Sequence, residues 1–173
     1  MTTLKEYTRQ KHDKIERAPL SMLIMSGEIT KKQWDLLIRQ KAFVYEKIEE
    51  LFEMPEYAKL SHKVHADLDT QYRTLLGNTY KYLKHLENLP KDQIAAHLYV
   101  HYMGEYFGGQ IMKKKIPYEN KTHMDIEQKA EAVAYIRDLI TGKDEILRDE
   151  ANTAFDLMIN IHDEIFSVTK THS

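Results

Sequence analysis

The 173-residue sequence contains no cysteine, one tryptophan, four prolines and only six glycines. The missing thiols exclude disulfides, zinc fingers, cysteine-ligated iron–sulfur clusters and thiolate-ligated haem from the chain's own side chains. A surplus of charge is missing as well. Its 25 Lys and Arg against 27 Asp and Glu leave a formal net charge of −2, with no global pull towards nucleic acid or an anionic membrane. No apolar run is long enough to span a bilayer, and the opening MTTLKEYTRQKHDKIER is charged almost from its start. A soluble cytoplasmic protein with neither nucleic acid nor membrane as partner is expected. Alternating strand patterns are also absent. The length fits one domain, residues 1–173, large enough for a real core and of all-α class.

Half of the scarce glycines, Gly104, Gly108 and Gly109, fall within YMGEYFGGQIMKKK, residues 102–115, where the surroundings read as helix. Each glycine inside a helix costs about 1 kcal/mol relative to alanine. Three together cost roughly 3 kcal/mol, a large share of the typical 5–15 kcal/mol that holds a domain folded. Such spending points to something that approaches the bare backbone.

Capping and breaker signals divide the rest. Thr3 with Glu6 opens a first helix that runs unbroken to Ile15 and carries His12. Pro19 and an apolar LSMLIM follow, closed by Gly27. Thr30 with Gln33 opens a helix to about Phe52, with Trp34, Leu37, Ile38, Tyr45, Ile48 and Leu51 on its apolar face, and Pro55 ends it. Residues 56–76 and 78–88 read as two helical pieces with Leu60, Val64, Leu68 and Leu75 buried. A helix over Lys91–Lys115, one from about Met124 to Thr141 stopped by Gly142, and a last one from Lys143 to about Val168 complete the pattern.

Two clusters carry chemistry. On a helix over 97–110, His97, His101 and Glu105 fall four apart along one side, with Gly104 and Gly108 beside them. The stripe suits a metal, and the glycines suit a flat ligand; alternatively the glycines only let helices pack closely and the histidines are satisfied polar residues. In the first helix Glu16 lies four residues after His12, placed to hold one ring nitrogen and leave the other for a metal. Lys5 and Arg9 share the His12 side, as grips for ligand carboxylates or as a solvated face.

Taken together, these residues resemble the heme oxygenase family. AAHLYVHYMGEYFGGQIMKK is similar to its distal-helix signature, in which a histidine and a tyrosine precede Y-L-G-D-x-x-G-G-Q; the matching positions are His97, Tyr99, Tyr102, Gly104, Gly108, Gly109 and Gln110. TRQKHDKIE resembles the proximal helix, and Tyr45 falls in a similar Y-x-x-x-E-E context. The resemblance runs from about Leu4 to Phe166, with a shortened segment between Glu50 and Pro90, and with Glu105 where the family has aspartate.

It implies a multi-helix bundle with haem sandwiched between a proximal and a kinked distal helix, the glycines supplying the kink. His12 is then the axial iron ligand with Glu16 as its partner. Lys5, Arg9 and Arg137 bind the propionates; Tyr99, Gly104, Gly108 and Gly109 line the ring; Glu105 works through water, with Gly104 and Gly108 as the rest of the catalytic surface. The implied reaction uses O2 and external electrons to open haem at the α-meso carbon, giving biliverdin, carbon monoxide and ferrous iron. Implied partners are an electron donor such as ferredoxin or a reductase, docked near Lys113, Lys114 and Lys115, and a downstream enzyme that uses biliverdin. Two rivals stand beside it: a haem-binding protein without turnover, and a non-haem metal enzyme using His97, His101 and Glu105.

Overall fold

The expected first helix is split by its own threonine. The computed structural model describes residues 2–170; Met1 and residues 171–173 of the expected domain lie outside the described residues. α1 spans Leu4–Tyr7 and α2 Arg9–Glu16. Between them the Thr8 hydroxyl turns back onto the Leu4 carbonyl at 2.9 Å, a bond that competes with the helix and bends it. α3, Pro19–Ser26, starts on proline and stops at Gly27, whose φ of 76° is the left-handed stop that glycine provides. α4, Lys31–Leu51, opens with the expected capping box: the Thr30 hydroxyl accepts from the Gln33 N–H, and the Gln33 side chain accepts from the Thr30 N–H.

Residues 56–76 do not form one helix. They give a 3-10 turn at Glu56–Ala58, a short α5 at Ser61–Ala66, and then irregular backbone. Side chains of α4 explain the difference. Arg39 donates to the carbonyls of Asp69 and Tyr72, and Gln40 donates to the carbonyl of Thr74 and accepts from the Leu76 N–H. With its polar groups paired from outside, this backbone needs no helix. The register moves too: Leu76 is buried and Leu75 exposed.

α6 follows at Gly77–Glu87. The expected helix over Lys91–Lys115 is a 3-10 turn at Lys91–Gln93, then α7, Ile94–Tyr106, and α8, Gly108–Lys113. The break falls on Phe107, with φ −115° and ψ −75°, so the kink sits on a non-glycine residue. The Gln110 amide bridges the break, donating to the carbonyls of Glu105 and Met124, and so satisfies a carbonyl freed at the end of α7. α9, Lys129–Ile140, begins five residues later than expected because residues 122–124 take a 3-10 turn. Gly142, again at φ 76°, separates it from α10, Asp144–Thr169.

Among the described residues every regular element is helical, and none is long and apolar enough to cross a membrane. α7 is the central rod, buried on most of its circumference and packed against α9 and α10. A large apolar cluster centres on Trp34, Tyr82, Tyr102 and Tyr106. A smaller one, from Leu4 and Ile15 through Ala96 and Val100 to Ala151 and Phe155, ties α1 and α2 to α7 and α10. The second cluster brings the His12 helix beside the glycine-bearing one.

Candidate functional site

His12 stands exposed on α2. Its Nδ1 lies 3.1 Å from the Glu16 Oε1, and its ring meets Phe155 of α10 edge-on at 6.0 Å. The carboxylate fixes the tautomer with the proton on Nδ1, leaving the Nε2 lone pair for a metal. Lys5 and Arg9 are exposed on the same two helices, and Arg137 is exposed on α9, where it borders a groove shared with Phe107, Val133 and Ala134. Among the described residues none of these three cations makes an ion pair. Tyr99 is half-buried against both apolar clusters, and burial raises its hydroxyl above the usual tyrosine range.

The glycines divide into two kinds. A Cβ at Gly109 would come within 3.4 Å of the Gly104 carbonyl and 3.5 Å of the Glu105 Oε2, so this glycine lets α8 fold closely over the end of α7. At Gly104 and Gly108 a Cβ would find nothing within 4 Å, and neither residue has a positive φ. Packing between helices therefore explains Gly109 alone. The other two present bare backbone to open space.

Behind them lies Glu105, buried, with its two oxygens in different situations. Oε1 accepts from the Tyr45 hydroxyl at 2.9 Å and from the Lys41 ammonium at 2.6 Å. Oε2 has no hydrogen-bond partner. Burial alone would raise this carboxyl, but the Lys41 charge and the two hydrogen bonds outweigh it and hold the group below the usual carboxylate range, ionised. Lys41 also donates to the His123 Nε2 at 2.9 Å, and the His123 Nδ1 faces the Asp67 Oδ2 at 2.7 Å. Burial and the Lys41 charge keep His123 neutral. Asp67, despite its burial, is lowered to about 2 by hydrogen bonds from His123 and Thr122.

His97 and His101 turn away from Glu105. Both reach the Tyr82 hydroxyl, at 2.5 Å from the His97 Nδ1 and 2.7 Å from the His101 Nε2. The expected alternative of one metal on His97, His101 and Glu105 is not assembled: Glu105 is committed to Lys41 and Tyr45. Burial lowers His101 to about 3, so it stays neutral.

Lys41 and His123 escape a reading of the sequence, for different reasons. Lys41 left a trace, since it interrupts the spacing Trp34, Ile38, Tyr45, Ile48 on the buried face of α4. His123 sits in an irregular polar stretch with no periodicity to mark it.

The family model for heme oxygenase matches residues 1–164. The chain belongs to the heme oxygenase family. Heme oxygenase 1 of Gallus gallus is 27% identical over 135 residues, 64% of this chain and 45% of that protein. Heme oxygenase 2 of Macaca fascicularis is 26% identical over an alignment covering 94% of this chain and 64% of that protein. The chain thus spans about half to two thirds of the length of these relatives. Among solved structures, heme oxygenase-1 from the cyanobacterium Synechocystis in complex with heme superposes with a TM-score of 0.83 at 20% identity, covering 95% of this chain and 91% of that one. Heme oxygenase from Leptospira interrogans gives a TM-score of 0.78 at 22% identity, covering 93% and 97%. The heme oxygenase fold is therefore common to all three chains.

The residues present fit a haem. An imidazole with one nitrogen held and the other available, two glycines facing open space, a buried carboxylate oxygen without a partner and exposed cations on α1, α2 and α9 together form a donor set for a flat, iron-bearing dicarboxylate.

Proposed function

We propose that this chain, acting as one domain in the cytoplasm, oxidatively cleaves haem at the α-meso carbon to biliverdin, carbon monoxide and ferrous iron, using O2 and electrons from an external donor. The observation that carries the reading is the open space over Gly104 and Gly108. Glycine there brings no benefit to the chain's own packing, so its purpose is to admit something that is not the chain.

When bound, haem supplies the oxygen-activating iron chemistry that the side chains of this protein lack. The chain's own residues bind, orient and hold protons. His12 would hold the iron through Nε2, its ring kept in place by Glu16. Lys5, Arg9 and Arg137 would hold the haem propionates and so orient the haem in the site. Tyr99 and Gly109 complete the lining. Glu105, ionised and buried, accepts a water's hydrogen bond on Oε2 and holds that water over the bare backbone, while Lys41 and Tyr45 keep the carboxylate from rotating away. Lys113 is already paired with Asp125. An acidic ferredoxin or reductase therefore meets Lys114 and Lys115, exposed beyond the end of α8, and the product passes to a biliverdin-using enzyme.

The test is an absorption time course with haem, O2, a ferredoxin–reductase couple and catalase. Loss of the Soret band with growth of a biliverdin band is expected. Haem binding without turnover is the second reading, favoured by the Lys41–Glu105 pair, because a carboxylate gripped by an ammonium is a weaker proton carrier. A haem spectrum that never decays with either of two electron donors would establish it instead.

A further inference from the structure

We propose that His85, His97 and Glu150 form a second site, for a divalent transition-metal ion held by two imidazoles and one carboxylate. The three residues come from α6, α7 and α10, and their ligand atoms all lie within 4.8 Å of one another. The Glu150 Oε1 is 2.5 Å from the His85 Nε2 and 2.7 Å from the His97 Nε2. A tetrahedral ion with bonds of about 2.1 Å needs its ligand atoms roughly 3.4 Å apart. A small rotation of Glu150, whose side chain keeps 14% exposure, provides that spread.

What surrounds the cluster resembles the support that metal-bound histidines receive. His97 is fully buried, and its other nitrogen, Nδ1, is engaged by the Tyr82 hydroxyl, which in turn reaches the His101 Nε2. Without an ion the Glu150 carboxylate draws the His97 proton to Nε2, and Tyr82 can switch to accepting an Nδ1–H and donating to His101, which holds the tautomer that frees Nε2 for a metal. A cation between His97 and Glu150 takes the place of the proton that they share. His85, one-third exposed, is the open side through which an ion and its waters reach the site. Mixed imidazole and carboxylate ligands select Zn2+, Co2+ or Fe2+ over Mg2+ and Ca2+, which prefer oxygen alone. The site stands two turns before Gly104 on α7 and shares no residue with the haem cradle.

The test titrates haem-free protein with Co2+ and follows the visible d–d bands, with Zn2+ as competitor. The expected result is one saturating Co2+ spectrum, displaced by Zn2+, untouched by equal Mg2+, and weakened at least tenfold in both His85→Ala and Glu150→Gln. His12→Ala separates this site from the exposed group of His12, Asp13 and Glu16, and is expected to leave the spectrum unchanged. Circular dichroism of His85→Ala, altered at a one-third exposed residue, guards against unfolding as the cause. A spectrum lost in His12→Ala, retained in both His85→Ala and Glu150→Gln, or absent at millimolar Co2+ overturns the proposal and leaves the cluster as a hydrogen-bonded brace.

Discussion

Replacing Gly104 with alanine separates the needs of the fold from those of the ligand. Gly104 lies within α7 at a negative φ, and a Cβ there has 4 Å of clearance from the rest of the chain. In the haem-free protein the change therefore removes only glycine's conformational cost, about 0.5–1 kcal/mol in favour of folding. For a domain of this size 1 kcal/mol moves the melting temperature by about 2–4 °C, so a rise of about 1–4 °C is expected. With haem present the same methyl occupies the cradle, and an overpacked contact costs about 1–3 kcal/mol, or roughly 5- to 150-fold in affinity. The assay pairs thermal melts of haem-free protein with a haem titration followed at the Soret band. Opposite signs in the two measurements mark a cradle for a ligand. Haem affinity within twofold of the parent, in a protein at least as stable, would refute the reasoning; a fall in the haem-free melting temperature would show that the space over Gly104 is not open.

Other outcomes follow from the same structure. His12→Ala should abolish the normal axial ligation, seen as a shifted Soret band and lost turnover, with partial rescue by added imidazole; an unchanged spectrum and rate would remove His12 from the iron. Lys41→Met leaves Glu105 as an unpaired buried carboxylate and should cost about 3 kcal/mol at pH 7. Since the Glu105 carboxyl is depressed when folded, the stability it lends is present above its unfolded value of 4.5 and is lost as pH falls through its folded value. The Lys41→Met deficit should therefore narrow in acid, and a second change, Glu105→Gln, should recover most of it at pH 7; denaturant titrations of the single and double variants check both. His101 stays neutral in the fold down to about pH 3, whereas the unfolded chain takes up that proton near pH 6.5. As pH drops from about 6.5 towards 3, this group should lower stability by about 1.4 kcal/mol per pH unit, and His101→Gln should flatten the slope by about one proton.

Local chemistry made much of this protein legible. Thr30 with Gln33, Gly27 and Gly142 mark helix ends through contacts within a few residues, and each lies where the sequence places it. His12 and Glu16 meet because four residues make one turn of helix. The glycines at 104 and 108 are visible as an unexplained local cost. By contrast, residues 67–76 read as helical from the spacing of Leu60, Val64, Leu68 and Leu75; Arg39 and Gln40, some thirty residues earlier, pair that backbone from outside instead. The break at Phe107 likewise depends on Gln110 reaching across to Met124.

By itself, then, the sequence determined the helical class, several helix ends, the His12–Glu16 pair on α2 and the glycine-bearing stretch on α7, all properties of neighbours along the chain. Only the tertiary structure decided that Gly109 serves packing while Gly104 and Gly108 face open space, that Lys41 and Tyr45 grip one oxygen of Glu105 and leave the other without a partner, and that His97 turns to Tyr82 and Glu150. Those outcomes depend on which residues distant in sequence are brought within 3 Å, and helical periodicity carries no information about that.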